Sequence, residues 1–339
     1  MPRYDLRLSI IMKTKAILFA GVNDVVLQAV DVPAPEAGEV LIEAHYTCIS
    51  PGTEKRCLAG EQAGAPAWPF IPGYAMSGVV IDAGPRTTLQ PGARVFCSGT
   101  ERAGASRLWG GHIGHAVRHE SSVFVVPDNV DLREASLAKL AAICHHGARQ
   151  TQPMAHERVA AVGLGPIGTL AARMHALSGA RVVCGDVSAA RVAMARKAGL
   201  DAVQIDGDLL AAFAGVFPHG ADIVIDSTGV PAVLAKAVEL GKQAGWTDDL
   251  HAPPRLLIQG SYAGDFTLPY HEAFMREMQI LLTRDQQPRD VVAVLDLLHR
   301  CKLSMIDLIS DVRRPDDAAK TYAELQTSRD AMTFAFKWN

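Results

Sequence analysis

The chain has no apolar run approaching the length of a membrane-spanning helix, so no transmembrane segment is expected. It also lacks a dominant charge. Lysine and arginine number 33 against 36 aspartates and glutamates, a net charge of −3. That balance gives no electrostatic case for nucleic acid or for an acidic membrane surface as partner. Cysteines are few and scattered: Cys48, Cys57, Cys97, Cys144, Cys184 and Cys301. None forms a C-x-x-C pair, so they read as reduced thiols of a cytoplasmic protein, most of them small core residues. Residues 1–11 hold two arginines and a short apolar patch but no long apolar core and no small-residue cleavage site. That argues against a signal peptide. Met12-Lys13-Thr14 looks like an internal start, which makes residues 1–11 a candidate disordered extension. There are no internal repeats and no low-complexity tract. What is present is ordinary for a soluble globular protein: 339 residues, 49% hydrophobic and 20% charged, enough for two domains.

The most informative stretch runs from residue 158 to 186. Val159-Ala160-Ala161-Val162 reads as a strand, followed at once by Gly163-Leu164-Gly165-Pro166-Ile167-Gly168. Ile167, Leu170, Ala171, Met174 and Leu177 then recur at helical spacing, and Gly179 is a stop signal. A second strand, 181–184, leads to Asp186. Gly163 permits a tight turn, Gly165 lets the backbone approach a pyrophosphate, and Gly168 lets helix and strand pack closely. Free N–H groups at the helix start face the phosphates. The Asp186 carboxylate suits an adenosine ribose diol. Strand, turn, helix and acid in this order read as a dinucleotide-binding unit.

Ahead of it, 15–19, 25–30, 40–49, 77–83, 93–97 and 116–126 read as short strands separated by Gly, Pro, Asn and Asp turns. They predict a mostly antiparallel, barrel-like domain, with 99–114 as a glycine-rich loop. Residues 131–149 suit one helix. After the glycine unit, βα alternation continues. A helix capped by Ser188 stops at Gly199, strands cover 222–226, 255–259 and 278–282, and a polar loop covers 244–254. A helix at 288–301, a helix at 316–325 and a strand at 332–336 complete the chain. The alternation predicts a doubly wound parallel sheet and hence an α/β fold class.

The set Glu39-Val40-Leu41-Ile42, Pro72-Gly73-Tyr74-x-x-x-Gly78, Pro91-Gly92-x-Arg94-Val95 and the glycine motif with Asp186 resembles the medium-chain dehydrogenase/reductase superfamily. The resemblance covers nearly the whole chain from Met12. It implies a GroES-like β-barrel catalytic domain (12–135), a Rossmann NAD-binding domain (136–310) and a C-terminal return to the catalytic domain (311–339). It also implies a homodimer formed by pairing Rossmann sheets edge to edge. Zinc-type alcohol dehydrogenases of that superfamily hold a catalytic metal with a Cys, a His-Glu pair and a further Cys. Here Ser50-Pro51-Gly52-Thr53-Glu54, Gly73-Tyr74-Ala75 and Ala138 stand at those places. The four-cysteine structural zinc loop has no counterpart in 99–114. Ser, Tyr and Ala do not supply the ligands zinc prefers, so no metal is expected. Residues 49–55 and Leu108-Trp109-Gly110-Gly111 narrow the likeness to a zinc-lacking subgroup that includes bacteriochlorophyllide hydroxyethyl dehydrogenases.

Hydride transfer belongs to a nicotinamide; the protein must orient the substrate and manage one proton. Candidates for that work are Ser50, Thr53, Glu54, Tyr74 and Lys139, with His145 or His146 as a proton relay. The competing readings are a structural Glu54–Lys139 ion pair, Tyr74 filling the vacated metal space, and histidines that only pack a helix. His112, His115 and His119 tempt a metal reading, but an offset of three on a strand points 112 and 115 to opposite faces. Trp68, Phe70 and Trp109 are candidates to rim a substrate cleft or to pack the barrel. Cofactor candidates are Gly163, Gly165, Pro166, Ile167, Gly168, Asp186, Arg191, Ser227, Thr228, Gly260 and Ser261. Arg191 suits a 2′-phosphate, yet Asp186 would repel one, so NAD is favoured over NADP. The expectation is a zinc-independent NAD(H)-dependent oxidoreductase interconverting a secondary alcohol and a ketone of a cyclic or polyol-like small molecule. The alternatives are a reductase of a C=C bond, which Asp186 disfavours because such enzymes usually take NADPH, and a non-catalytic dinucleotide-binding relative.

Overall fold

The computed structural model describes residues 11–243, 245 and 252–339. The extension expected at 1–11 lies outside the described residues except for Ile11, and so does much of the 244–254 loop. The chain divides into two compact units. One comprises residues up to Lys139 with Ile309–Ser328 and Thr333–Asn339; the other comprises Leu140–Leu308 with Arg329–Met332.

The first unit is built on two sheets. A four-stranded sheet runs Asp24–Val32, Met12–Gly21, Phe70–Ile71, Ser106–Arg107. The second runs Ile309–Arg313, Thr333–Lys337, Glu39–Cys48, Met76–Ala83, Arg94–Cys97, Phe124–Val125, with His115–His119 also paired to Glu39–Cys48. Among the described residues these sheets do not close into a barrel, which corrects that part of the expectation. Inward positions recur at the strand period of two. They place Leu18, Val40, Ile42, Met76, Val80, Val95 and Val117 in one core. The strand expected over 116–126 is broken by a 3₁₀ turn at Glu120–Ser122. The helix Pro51–Ala59 was not anticipated, because its polar residues give it little apolar periodicity. Pro51 starts it, and Gly60, at φ +79°, ends it in the left-handed conformation glycine tolerates.

The second unit is a six-stranded, wholly parallel sheet. Its order is Asp201–Gln204, Arg181–Asp186, Arg158–Val162, Ile223–Asp226, Arg255–Ile258, Gln279–Leu282. All four residues of Ile223–Asp226 are buried, as a strand covered on both faces must be. Val162, Val183, Phe213, Val224, Leu234 and Leu256 share its core. The helix expected over 131–149 is two, Leu132–Ala135 and Ala138–Thr151. Ser188 caps Ala189–Lys197 by accepting the Arg191 N–H. No helix among the described residues is long and apolar enough to cross a membrane.

Candidate active site

In the parallel-sheet unit, three loops meet at the carboxyl ends of neighbouring strands. The first is the glycine turn. Gly163 has φ +90°, and a Cβ added at Gly168 would run into the Gly163 carbonyl oxygen, so only glycine lets this helix start so close to its strand. Gly165 caps the helix Pro166–Ala176 in extended conformation with Pro166 in its first turn, leaving the helix start open for an anion. The Ile167 carbonyl accepts the Cys144 thiol at 3.2 Å. The second loop, Ser227 to Gly229, lies against the first: a Cβ on Gly163 would sit 3.0 Å from Thr228 Cγ2. The third carries Gly260 and Ser261. A Cβ on Gly260 would lie 2.8 Å from the Gly229 N, and one on Gly229 would lie 2.8 Å from the Ser261 carbonyl.

The polar groups of these loops are organised in advance. Asp186 is nearly buried, and its two oxygens accept the Leu164 N–H at 2.7 Å and the Ser188 N–H at 2.8 Å. Its carboxylate therefore braces the glycine turn, while each oxygen keeps a second lone pair for a ribose hydroxyl. Arg191 Nη1 stands 3.8 Å from Asp186 Oδ2 and 4.0 Å from where a Cβ on Gly165 would be. Asp226 accepts Thr228 Oγ1–H at 2.7 Å and the Tyr262 hydroxyl. Burial raises the Asp226 carboxyl above its ordinary range, against the pull of those two donors. Burial and the neighbouring Asp226 likewise push the Tyr262 phenol up. Ser227 Oγ is buried with no partner among the described residues, and so is Arg191 Nε. A Cβ-free cradle, an open helix start, a braced acid and two orphaned polar atoms fit a nicotinamide dinucleotide.

In the antiparallel unit, four of the expected residues converge on one phenol. The Tyr74 hydroxyl is hydrogen-bonded to Ser50 Oγ and stands 3.3 Å from Thr53 Oγ1. Lys139 Nζ lies 5.6 Å from the Tyr74 ring centroid, and Trp109 meets the ring edge to face at 5.0 Å. Glu54 belongs to a different layer. It is wholly buried and bound by His112, Tyr322 and the Ser50 N–H, so the anticipated Glu54–Lys139 ion pair is replaced by these partners. Trp68 stacks on Phe70 at 4.9 Å, and Phe70 is core.

His145 takes a structural partner. Its Nδ1 is 2.8 Å from Asp290 Oδ1, His146 Nδ1 is 3.2 Å from Oδ2, and Arg149 Nε donates to Oδ1 at 2.7 Å. Burial works to raise the Asp290 carboxyl, but Arg149, the Gln287 N–H and His145 hold it well below the usual range. Of the three tempting histidines, His115 bonds Thr14, His119 is exposed, and His112 alone is central. Sequence reasoning placed Tyr262 with Gly260 and Ser261 at the cofactor cleft but not as a partner of Asp226; it missed His112 as a partner of Glu54, and it missed Tyr322 altogether. Tyr322 shares the buried face of the helix Ala318–Thr327 with Ala318, Thr321 and Leu325, and a buried tyrosine hydroxyl signals a polar partner.

The parallel-sheet unit carries this nucleotide cradle and the antiparallel unit this hydroxyl cluster, residue types that suit a nicotinamide-dependent oxidoreductase. Residues 36–128 match the family model for the alcohol dehydrogenase GroES-like domain, and residues 166–247 match that for zinc-binding dehydrogenases. The chain is 27% identical over 342 residues to 2-desacetyl-2-hydroxyethyl bacteriochlorophyllide A dehydrogenase of Cereibacter sphaeroides, covering 96% of this chain and 99% of that one. It is 26% identical to D-arabinitol dehydrogenase 1 of Uromyces fabae over 275 residues, 73% of this chain and 75% of the relative. In fold it is similar to 2R,3R-butanediol dehydrogenase from Bacillus subtilis, with TM-score 0.83 at 21% identity over 96% of this chain and 100% of the other. The chain belongs to the medium-chain dehydrogenase/reductase superfamily of zinc-type alcohol dehydrogenase-like proteins and is an oxidoreductase of the alcohol–ketone class. One of its family models is named for zinc, yet Ser50, Tyr74 and Ala138 do not form a zinc donor set. Among the described residues no group of three or more His, Cys, Asp or Glu is placed to hold a metal ion.

Proposed function

We propose that this protein is a zinc-independent, NAD(H)-dependent dehydrogenase that interconverts a secondary alcohol and a ketone. The observation that carries this reading is the hydroxyl pair of Ser50 and Tyr74, with Thr53 and Lys139 beside it, at the place where the family resemblance would put metal ligands. A nicotinamide bound at the glycine turn supplies the hydride acceptor or donor. Tyr74 does the work of the missing Lewis acid. Its phenol donates a hydrogen bond to the substrate oxygen, polarises a ketone, and gives up its proton as the alcohol forms. Ser50 and Thr53 orient that O–H. The Lys139 ammonium supplies the positive charge that favours the transient phenolate. In alcohol oxidation the same proton returns to Tyr74.

Asp186 supports NAD as the cofactor, because a 2′-phosphate would meet its carboxylate; the Arg191 beside it softens that preference. A substrate of cyclic or polyol-like type is the reading that the bacteriochlorophyllide and D-arabinitol enzymes support. We also propose a homodimer. Among the described residues Gln279–Leu282 is an edge strand with one side unpaired, and Leu282, Ile280, Tyr270 and Phe274 are exposed there or on the preceding helix. The six free cysteines support a reducing, cytoplasmic compartment.

The test is steady-state kinetics of Tyr74→Phe across a panel of polyols, cyclic secondary alcohols and ketones. The expected result is a loss of roughly 10²–10⁴ in kcat, with NADH affinity unchanged. Full activity in Tyr74→Phe overturns the assignment, and saturation of an enone C=C bond as the only reaction overturns the substrate class.

A further inference from the structure

Behind the Tyr74 cluster lies a polar layer that the chemistry above does not use. Glu54, His112 and Thr47 are 0% exposed and Tyr322 is 1% exposed. A buried carboxylate is costly unless donors surround it. Here two donors come from distant stretches and the third from the N-cap of the helix that carries Glu54. The Tyr322 hydroxyl and His112 Nε2–H donate to Glu54 Oε2, the latter at 2.9 Å, and the Ser50 N–H donates to Oε1 at 2.7 Å. Across the imidazole, Nδ1 is 2.8 Å from Thr47 Oγ1, which accepts Trp338 Nε1–H at 3.0 Å. This inventory assigns the tautomer. Glu54 as a carboxylate only accepts, so Nε2 carries the proton, and Nδ1 of the neutral ring then accepts the Thr47 O–H.

The same ring abuts Gly73, next to the other half of the hydroxyl pair. Gly73, the residue before Tyr74, has φ +86°, and a Cβ there would lie 2.6 Å from His112 Cδ2 and 2.7 Å from Nε2. The His112 and Gly111 N–H groups both donate to the Pro72 carbonyl, at 3.1 and 3.0 Å. One edge of the imidazole therefore holds the carboxylate that grips Ser50, and it also abuts the turn that presents Tyr74. Ser50 and Tyr74 belong to separate segments, and His112 contacts the support of each.

We propose that His112, acting through Glu54 and against Gly73, is a positioning residue that sets the Ser50–Tyr74 hydroxyl pair for proton transfer. The proposal rests on the role given to Tyr74 above. Displacing a reacting group by about 1 Å can cost roughly 10²-fold in rate, so a joint of this kind governs kcat without touching substrate.

The test compares two amides. His112→Gln places an N–H donor near the imidazole Nε2 position, toward Glu54; His112→Asn is too short to reach it and retains only the Thr47 side. Full-length protein labelled with ¹³Cζ-tyrosine gives a Tyr74 resonance, assigned by its loss in Tyr74→Phe. The expected result is a kcat loss of roughly 10–100-fold in His112→Asn, a loss of only about threefold in His112→Gln, and unchanged NADH affinity in both. The Tyr74 resonance moves in the Asn variant and keeps its place in the Gln variant. Tyr322→Phe, which removes one donor and little volume, gives a smaller displacement of the same resonance. If Asn and Gln lose activity equally and in proportion to melting temperature, or if neither moves the Tyr74 resonance, His112 is a packing residue and the proposal fails. If the wild type turns over no alcohol or ketone, the dehydrogenase reading fails, and the resonance alone decides the positioning role.

Discussion

The two carboxylate-centred sites of this protein are built in opposite ways. Around Asp186 every partner is local: Leu164 sits 22 residues away, Ser188 two, and the bonds run to backbone N–H groups. Around Glu54 the partners are Ser50, His112 and Tyr322, the last of them 268 residues away, and most bonds run between side chains. A nucleotide phosphate needs a fixed backbone shape, which one short stretch of chain supplies. The hydroxyl pair proposed to handle the proton needs side chains held at set distances, which tertiary packing supplies.

The largest effect expected from breaking this contrast falls on the backbone-built site. Gly168→Ala drives a Cβ into the Gly163 carbonyl, and NADH affinity by fluorescence titration should fall by more than about 100-fold. The side-chain-built site should respond in stability as well. Glu54→Gln puts an amide N–H₂ against donors from Ser50, His112 or Tyr322, so at least one buried donor loses its acceptor. Urea unfolding should show a loss of roughly 1–3 kcal/mol, with NADH affinity retained. A control outside both sites is Asp290, whose carboxyl is held low by Arg149, the Gln287 N–H and His145 against the effect of burial. A depressed carboxyl contributes stability above its unfolded value of about 4, and that contribution is lost as pH falls through the folded value. Asp290→Asn should therefore cost roughly 1.5–3 kcal/mol at pH 7, and the gap to wild type should close in acid well below pH 4. The smallest effect belongs to Arg191→Ala. The NADH-to-NADPH preference should rise by about tenfold or less, because Arg191 is a cation beside Asp186 that suits a 2′-phosphate.

The contrast also explains what was legible. The turn at 163–168, the helix after it, the Ser188 cap and the parallel strands follow from neighbours in sequence, where periodicity and glycine chemistry act directly. Tyr74 and Ser50 were singled out through the family resemblance, which puts them where zinc-type members would carry metal ligands. His112 was weighed as a metal ligand and Glu54 as a partner of Lys139. Their true pairing depends on how the turn 72–74, the helix Pro51–Ala59 and the helix Ala318–Thr327 pack, which no local pattern encodes. The helix Pro51–Ala59 itself was hidden by polar residues, one of which, Glu54, is buried for its hydrogen bonds rather than its hydrophobicity. The 116–126 strand and the 131–149 helix were drawn too long because short 3₁₀ and capping interruptions leave little trace in an apolar pattern.

The central claim is that hydroxyls, rather than a metal, manage the substrate oxygen. Its most direct test is turnover of the wild-type enzyme after exhaustive chelation, with metal content measured on the same sample. Full activity is expected with less than about 0.1 zinc per chain. Loss of activity on chelation, restored by one equivalent of zinc, would contradict it.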